Sequence, residues 1–373
     1  MRAAILLTLI ACLATAAYAV RVRNRMPDFE VYRTAGARAA AGQPLYRASD
    51  EHYQFKYFPA SAFVFTPFAA LPVSTAKPLW FALSVGLLAV LLALSVQQLP
   101  SRTVPASIIA IGTIVTLGKF YAHELELGQA NLLFGVVAMA AVAQLHKGRG
   151  IGAGATFGSA AIIKPYALLF LPYLVATKQF RAAAACATVL VVALAAPAIA
   201  YGLHGNLDLL VAWWNTVASS TLPNLTNQDN VSIAAMYVKW LGPGSIAEWL
   251  AIGTSVALLG TCAAVVLMRR RADAPEYLEV ALLLTAITLL SPQGWDYVLL
   301  LSTPAVVLLI NTLPRLNRLL QSATIACLAL IGLTIYDVMG RAAYTRFMAL
   351  SIITVVYGFV IALLVYVRAK QLD

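Results

Sequence analysis

Side chains that could do chemistry are concentrated in the polar stretch from Met26 to Pro72, in a chain that is otherwise almost entirely apolar. Two acids, Asp28 and Glu30, follow soon after the first apolar run, residues 3–20. Ionisable groups beside a membrane are costly to keep and tend to mark functional sites. A carboxylate held there can take a proton from a hydroxyl group as a general base. We therefore predict that this stretch forms part of the active site of an enzyme.

Further polar and aromatic side chains recur between the later apolar runs, all on one predicted side of the membrane. Amide groups offer donors and acceptors to hydroxyl groups, and the flat face of a sugar ring stacks on an aromatic ring. This combination suits a sugar ligand, and its asymmetry favours an outward-facing site. The set comprises Lys56, Tyr57, His123, Glu124, Glu126, Gln129, Asn131, Asn224, Asn227, Gln228, Asp229, Asn230, Gln293, Trp295 and Asp296.

Several of these residues also have an ordinary structural interpretation. Asp28 follows a proline at the start of a helical pattern, so it could simply be an N-cap, a role worth about 1 kcal/mol. His123 and Glu124 could be residues at the end of a loop. Gln129 and Asn131 begin a long apolar span, where capping is again the simpler role.

Lys164 differs because no nearby residue in the sequence neutralises it, and Pro165 interrupts the helical pattern beside it. Broken helices at membrane depth are tolerated where they line a cavity. We weigh two roles for this lysine. It either binds an anion or extends its ammonium group to the membrane interface.

The composition defines the class of protein. The chain has 61% hydrophobic and 11% charged residues over 373 positions, whereas soluble proteins have roughly 45–50% apolar and about 25% charged residues. The apolar runs are long enough for membrane helices and too long for the strands of a barrel. The cysteines all fall inside apolar runs and are interpreted as small core residues. The sequence thus predicts an all-α polytopic membrane protein.

The same data exclude other functions. The net charge of +11 is not a nucleic-acid signal, because the basic residues cluster at the ends of spans, where they set orientation. There is no glycine-rich nucleotide loop, so ATP hydrolysis is not expected. Asp28 and Glu30 could hold a divalent ion, but two carboxylates one residue apart are a weak signal, and we expect no metal and no cofactor.

The apolar pattern predicts about twelve crossings in a single domain, residues 1–373, with both termini inside. The run up to Val20 favours a retained anchor over a cleaved signal peptide, because it is long for a signal core. Two longer outer loops are expected, at about residues 21–60 and 204–245.

A short amphipathic pattern begins at Asp28 within the first of these loops. Phe29, Tyr32, Gly36 and Ala39 share one face of the predicted helix. Such a pattern is typical of a helix that lies on the membrane surface.

Loop charges orient the chain. The short loops on one side are basic, which marks them as cytoplasmic. The segment from His204 to Asn230 contains no Lys or Arg, as expected of a translocated loop. Alternation then places residues 26–59 outside, although the arginines of this loop run against the charge rule. They could serve an anionic ligand.

Five short blocks resemble one known family. The first is Asp28-Phe29-x-Val31-Tyr32, continued by Gly42-Gln43-Pro44-Leu45-Tyr46 and Tyr57-Phe58-Pro59. The others are Gly128-Gln129-x-Asn131, Lys164-Pro165-Tyr166, Asn227-Gln228 and Ser291-Pro292-x-x-Trp295. Together they resemble, in order and over most of the chain, glycosyltransferase family 87. This is a family of GT-C-type membrane enzymes that includes polyprenyl-phosphate-mannose-dependent α-mannosyltransferases.

The resemblance implies a GT-C-like helical bundle in which an acid of the first outer loop is the catalytic base, and it places that role on Asp28. It also implies a polyprenyl-phosphate sugar donor, a glycolipid or glycan acceptor, and a location in the inner membrane with the site facing outward. One departure is evident. Where the family commonly has Trp followed by histidines, this chain has Trp295-Asp296-Tyr297, so the histidine that would contact the donor phosphate is missing.

On this interpretation the acceptor oxygen attacks the anomeric carbon while Asp28 takes its proton, and the sugar inverts. A fixed cation should stabilise the departing lipid phosphate, and Lys164, Lys56 and Arg33 are the candidates. The complete predicted substrate-binding set is Glu30, Tyr32, Arg33, Lys56, Tyr57, His123, Glu124, Gln129, Asn131, Lys164, Asn227, Gln228, Trp295 and Asp296.

The alternative is a transporter or flippase of lipid-linked sugars. Broken helices and basic pockets suit both classes. A transporter needs polar residues on both sides of a barrier at mid-span, whereas here they gather on one side. We therefore favour the enzyme.

Overall fold

The computed structural model describes residues 15–269, 272 and 274–371, and its regular elements are helices. Most of the predicted anchor lies outside these residues. The α-helices are α1 (Pro27–Ala40), α2 (Pro59–Val64), α3 (Thr66–Ala69), α4 (Val73–Gln97), α5 (Ala106–Leu127), α6 (Asn131–His146), α7 (Gly150–Ile163), α8 (Phe170–Ala176), α9 (Phe180–Ala195), α10 (Ala198–Asn224), α11 (Ile233–Leu241), α12 (Ser245–Leu267), α13 (Pro275–Leu290), α14 (Thr303–Thr312), α15 (Arg318–Leu333), α16 (Tyr336–Met339), α17 (Arg341–Ala349) and α18 (Ile352–Ala369).

Length and hydropathy identify the membrane-spanning candidates. Five segments of the described chain are long and apolar enough to cross a membrane, namely α4, α5, α12, α18 and the helical segment Asp296–Arg315. The pair α9 and α10 passes the same test only when joined, and its two helices meet at an angle of 88°. The chain is therefore an all-helical membrane protein. The finer count of about twelve crossings is not confirmed.

The central core is built around α13 and the segment Asp296–Arg315. Every side chain of α13 from Tyr277 to Leu289 is buried, and the most apolar window of Asp296–Arg315 is 89% buried. A helix that is apolar all round belongs inside a bundle. Helices α4, α5, α6, α12 and α18 pack against these two elements.

The predicted helix of the first loop exists as α1, but its apolar face packs on protein. Phe29, Tyr32, Gly36 and Ala39 are all buried. Phe29 stacks on Trp80 of α4 at 5.5 Å, and Tyr32 stacks on Phe65 at 4.6 Å between ring centroids. The face that the sequence assigns to lipid is thus filled by aromatic rings, and a position on the membrane surface is not confirmed.

Charged side chains tie α1 to the elements around it. Glu30 forms an ion pair with Lys77 of α4. Arg33 donates to the backbone oxygen of Leu71 at 2.9 Å, and Arg38 donates to Asp50 at 2.9 Å. These contacts hold Glu30 and Arg33 away from the main cavity, although the Nε atom of Arg33 is buried without a hydrogen-bond partner.

The segment predicted as a long outer loop, residues 204–245, is largely helical. It contains most of α10 and all of α11. Before it, α9 ends at Ala195 and the chain turns sharply into α10. Helix α10 buries Asn206 and Leu209 and exposes Leu203, Leu207, Val211, Trp214 and Leu222.

Candidate active site

The main cavity of the described chain has a volume of about 820 Å³, within the size range of small-molecule sites. It lies between the start of α1, the end of α5, the break after α7, the end of α10 and the loop before the segment Asp296–Arg315. Of the residues predicted from sequence, its lining contains Asp28, Tyr32, Lys56, Tyr57, His123, Gln129, Lys164, Asn227 and Trp295.

Asp28 is not the cap of its helix. The N-cap position is Met26, in the left-handed region at φ 68°, and Pro27 is the first helical residue. The Asp28 carboxylate lies in the cavity lining and accepts a hydrogen bond of 2.8 Å from Gln129 Nε2. The capping interpretation is therefore wrong, and the carboxylate is turned toward the cavity.

A glycine allows this meeting of distant segments. Gly128 ends α5 in the left-handed region at φ 69°, a conformation that glycine adopts at little cost. A Cβ at this position would lie 2.7 Å from the Cβ of Phe29, so any larger residue would push α1 away. Gly128 thereby brings Gln129 against the first turn of α1.

Gln129 connects the acid to the lysine. Its Nε2 donates to Asp28 and, at 3.3 Å, to the hydroxyl of Tyr297. Its Oε1 accepts from Lys164 Nζ at 2.8 Å and from the Tyr32 hydroxyl. Both donors and both acceptor positions of the amide are thus in use. The NH2 of the amide faces the Asp28 carboxylate, and its oxygen faces the Lys164 ammonium group. These two charges therefore fix the orientation of the Gln129 amide.

Lys164 is a buried cation of the site. Its side chain is 4% exposed, and besides Gln129 it donates to the Tyr57 hydroxyl at 2.8 Å. Its ammonium group also lies 4.3 Å from the centre of the Tyr57 ring, in the range of a cation–π contact. The ammonium group does not reach out to an interface, so the snorkelling interpretation is wrong.

The carboxyl group of Asp28 has a perturbed acidity. Burial in the cavity raises the pKa of Asp28 above its usual value, and the hydrogen bond from Gln129 and the charges of Lys164, His123 and Lys56 offset only part of this effect. A carboxylate with a raised pKa is a better proton acceptor. Burial also lowers the pKa of Lys56 below its ordinary value, against the opposing charge of Asp28.

A histidine reaches the cavity from α5. His123 Nδ1 lies 3.1 Å from Asp296 Oδ1, and the imidazole ring stands edge-on to Tyr297. Asp296 also accepts a hydrogen bond from the Tyr297 backbone at 2.7 Å. A histidine thus sits against the residue that follows Trp295, although a different helix supplies it.

A second cluster of contacts joins Lys56 to the end of α10, mainly through Gln293. The Oε1 atom of Gln293 lies 3.3 Å from Lys56 Nζ, and its Nε2 donates to Ser220 and Thr221 at 3.1 and 3.2 Å. Trp213 donates to the backbone oxygen of Lys56 at 3.1 Å. The predicted substrate-binding set omits both Gln293 and Trp213. The only signal for Gln293 is its place in the polar loop before Trp295.

The structure places the other predicted residues outside the cavity lining. Glu124 is fully buried, and its carboxylate accepts from the backbone of Asn131 and Leu132 and from the Asn131 amide. It therefore stabilises the start of α6. Asn131 accepts in turn from Tyr166 at 2.6 Å. Tyr166 lines the cavity, although the predicted substrate-binding set omits it. Glu30, Arg33, Gln228 and Asp296 also lie outside the lining.

In residues 15–269, 272 and 274–371, no three His, Cys, Asp or Glu side chains lie close enough to hold a metal ion. Asp28 and Glu30 in particular diverge, because one faces Gln129 and the other Lys77. The expectation of a metal-independent reaction stays a prediction.

The fold and the cavity define a multi-helix membrane protein with an acid and two lysines around one polar site. The chain belongs to glycosyltransferase family 87, whose model matches residues 55–292. It is thus a membrane glycosyltransferase, and the family predicted from the short blocks is confirmed. Lys56, Gln129 and Lys164 fall inside the matched segment, and Asp28 and Trp295 fall outside it. Comparisons with curated proteins and with solved structures find no match.

Proposed function

We propose that the protein transfers a sugar, with mannose as the expected one, from a polyprenyl-phosphate donor to a hydroxyl group of a glycolipid or glycan acceptor, with inversion. The observation that carries this proposal is the chain Asp28–Gln129–Lys164 along one wall of the cavity. It sets a carboxylate with a raised pKa and a buried cation on either side of one amide. An inverting transfer needs both groups, one for each reacting oxygen.

In the proposed step, Asp28 accepts the proton of the acceptor hydroxyl as that oxygen forms its bond to the anomeric carbon. The bond from the anomeric carbon to the phosphate oxygen breaks, and its electron pair leaves with the polyprenyl phosphate. Lys164, Lys56 and His123 face the cavity in which this charge develops. Preorganised donors aimed at developing charge are usually the largest single catalytic contribution.

Helix α10 supports a donor that carries a lipid. Its end lines the cavity with Trp213, Ser220 and Asn224. It also exposes a row of apolar side chains that includes Leu207 and Val211. Since α10 runs at 88° to α9, it lies along the membrane surface if α9 crosses the bilayer. The lipid chain would then extend past α10 while the sugar phosphate occupies the cavity.

The test of the proposed function is an incubation of the purified protein with a panel of polyprenyl-phosphate sugars and a membrane glycolipid extract. We expect acceptor-dependent release of polyprenyl phosphate from one donor and a product of inverted anomeric configuration. Retained configuration would contradict the single displacement. Movement of intact donor across vesicles without release of lipid phosphate would instead favour the flippase.

A pH dependence follows from the raised pKa of Asp28. The base works as a carboxylate, so kcat/KM should fall as the pH drops through this pKa, at a higher pH than for an ordinary aspartate. The charge of Lys164 lowers the pKa of Asp28. In Lys164→Met the fall of kcat/KM on the acid side of the pH profile, its acid limb, should therefore move to still higher pH. A limb that stays in place or moves down in Lys164→Met would contradict the assignment.

The outward orientation is also proposed, and it has its own measurement. In a background without native cysteines, Arg47→Cys and Thr226→Cys should react with a membrane-impermeant thiol reagent in intact cells. Arg270→Cys should react only after the cells are opened. Labelling of Arg270→Cys in intact cells would reverse the orientation and place the cavity on the cytoplasmic side.

A further inference from the structure

A second cavity, of about 570 Å³, runs along the neighbouring face of α1. It is lined by Asn24, Arg25, Glu30, Thr34, Arg38, Ser49, Asp50 and Phe55, among others. Its lining shares Pro27, Val31, Glu51 and Tyr53 with the main cavity. The two cavities therefore meet beside the first turn of α1, next to Asp28.

The charges around the second cavity are mostly paired. Arg38 is held by Asp50, Arg25 pairs with Glu126, and Glu30 pairs with Lys77. The lining thus offers many donors and acceptors with little net charge. Such a surface does not suit a phosphate, which would need unpaired cations, or a lipid chain, which would need an apolar wall. It suits a neutral molecule rich in hydroxyl groups.

The shared border has two features of a binding position. Tyr53 is 51% exposed and places an aromatic side chain, the type that packs against sugar rings, at this border. Glu51 has a positive φ of 50° with ψ of −119°, a backbone conformation that costs about 1–3 kcal/mol in a residue other than glycine. Strain of this kind clusters at ligand sites. Glu51 also forms no ion pair with any side chain that the structure describes.

We propose that the second cavity binds the glycan portion of the acceptor. A neutral oligosaccharide would cross the border at Glu51 and Tyr53 and present its terminal hydroxyl group to Asp28. The volume is within the range of about 300–1,000 Å³ typical of ligand sites. This inference rests on the proposed function in taking the bound glycan to be the acceptor. It adds that the acceptor is recognised through several sugar units.

Thr34 provides the variant that tests this site. It is an exposed residue of α1 that lines only the second cavity, so Thr34→Trp should fill the cavity and leave Asp28 untouched. Ala37→Trp is the matched control. Ala37 is exposed on the same helix and belongs to the lining of neither cavity.

The first measurement is binding to the full chain in detergent by saturation-transfer NMR. The ligands are maltotriose, mannotriose and cellotriose, each compared with its methyl monosaccharide. We expect one trisaccharide to bind at least about tenfold more tightly than its monosaccharide, a difference of about 1.4 kcal/mol. Thr34→Trp should abolish this preference and Ala37→Trp should retain it. Absence of the preference from the wild type, or its survival in Thr34→Trp, would overturn the inference.

The second measurement uses transfer and separates the two proposals. Thr34→Trp should raise the KM for acceptor and leave the KM for donor unchanged. Transfer by Thr34→Trp with an unchanged acceptor KM would overturn the second site and leave the proposed function standing. A preference for the trisaccharide without transfer from any donor would support the glycan site and overturn the proposed function.

Discussion

Asp28→Asn is expected to lower turnover at least about a hundredfold, because positioned acid–base catalysis contributes roughly 10²- to 10⁴-fold. The fold should survive the change. In the wild type Asp28 accepts a hydrogen bond of 2.8 Å from Gln129. The oxygen of the new amide can still accept this bond. Because burial raises the pKa of Asp28, the charged form is less favourable in the protein than in water, and a neutral side chain should carry no stability penalty here. The measurement is the initial rate of lipid phosphate release, together with the thermal midpoint.

Asp208→Asn is the matched control for this experiment. Asp208 is an exposed acid of α10 outside both cavity linings. The same chemical change there should leave the rate near that of the wild type. Near-normal transfer by a folded Asp28→Asn protein would exclude Asp28 as the base. His123 would then be the next candidate, since it also faces the cavity.

Lys164→Met should lower kcat/KM for the donor by about 10²- to 10³-fold, the usual effect of removing one group that stabilises developing charge. Methionine has a similar length and no charge. Removal of one partner from a buried charged network is destabilising, and Lys164→Met leaves Gln129 and Tyr57 without their donor. The thermal midpoint is therefore measured beside the rate, and activities are compared for folded protein only. Lys164→Arg should retain part of the activity, because it keeps the cation but not the geometry of the contacts to Gln129 and Tyr57.

The control for Lys164 is Lys147→Met, which removes an exposed lysine after α6. It should leave donor use unchanged. The comparison is made with donor as the varied substrate at saturating acceptor. An unchanged kcat/KM in Lys164→Met would mean that Lys164 only orients Gln129, and Lys56 would become the leading phosphate contact.

Local patterns in the sequence are sufficient to predict that this is a helical membrane protein. The hydropathy of single segments predicts membrane helices, because each helix satisfies its own backbone hydrogen bonds in lipid. The short blocks led to the family, which the match over residues 55–292 confirms. The same patterns could not predict the sharp turn between α9 and α10. Nor could they predict that the apolar face of α1 packs against Trp80 and Phe65 rather than lipid, since hydropathy does not distinguish the two.

The residue types of the site were visible in the sequence, and their partners were not. Asp28 looked like a helix cap because capping is a local property of an acid after a proline. Its actual partner, Gln129, is 101 positions away, and Lys164 is 35 positions further on. His123 and Asp296 are 173 positions apart. The sequence by itself determined a helical membrane glycosyltransferase with an acid in its first loop, because composition and short motifs belong to single segments. Only the tertiary structure decided which groups share the cavity, because packing between distant helices sets those distances.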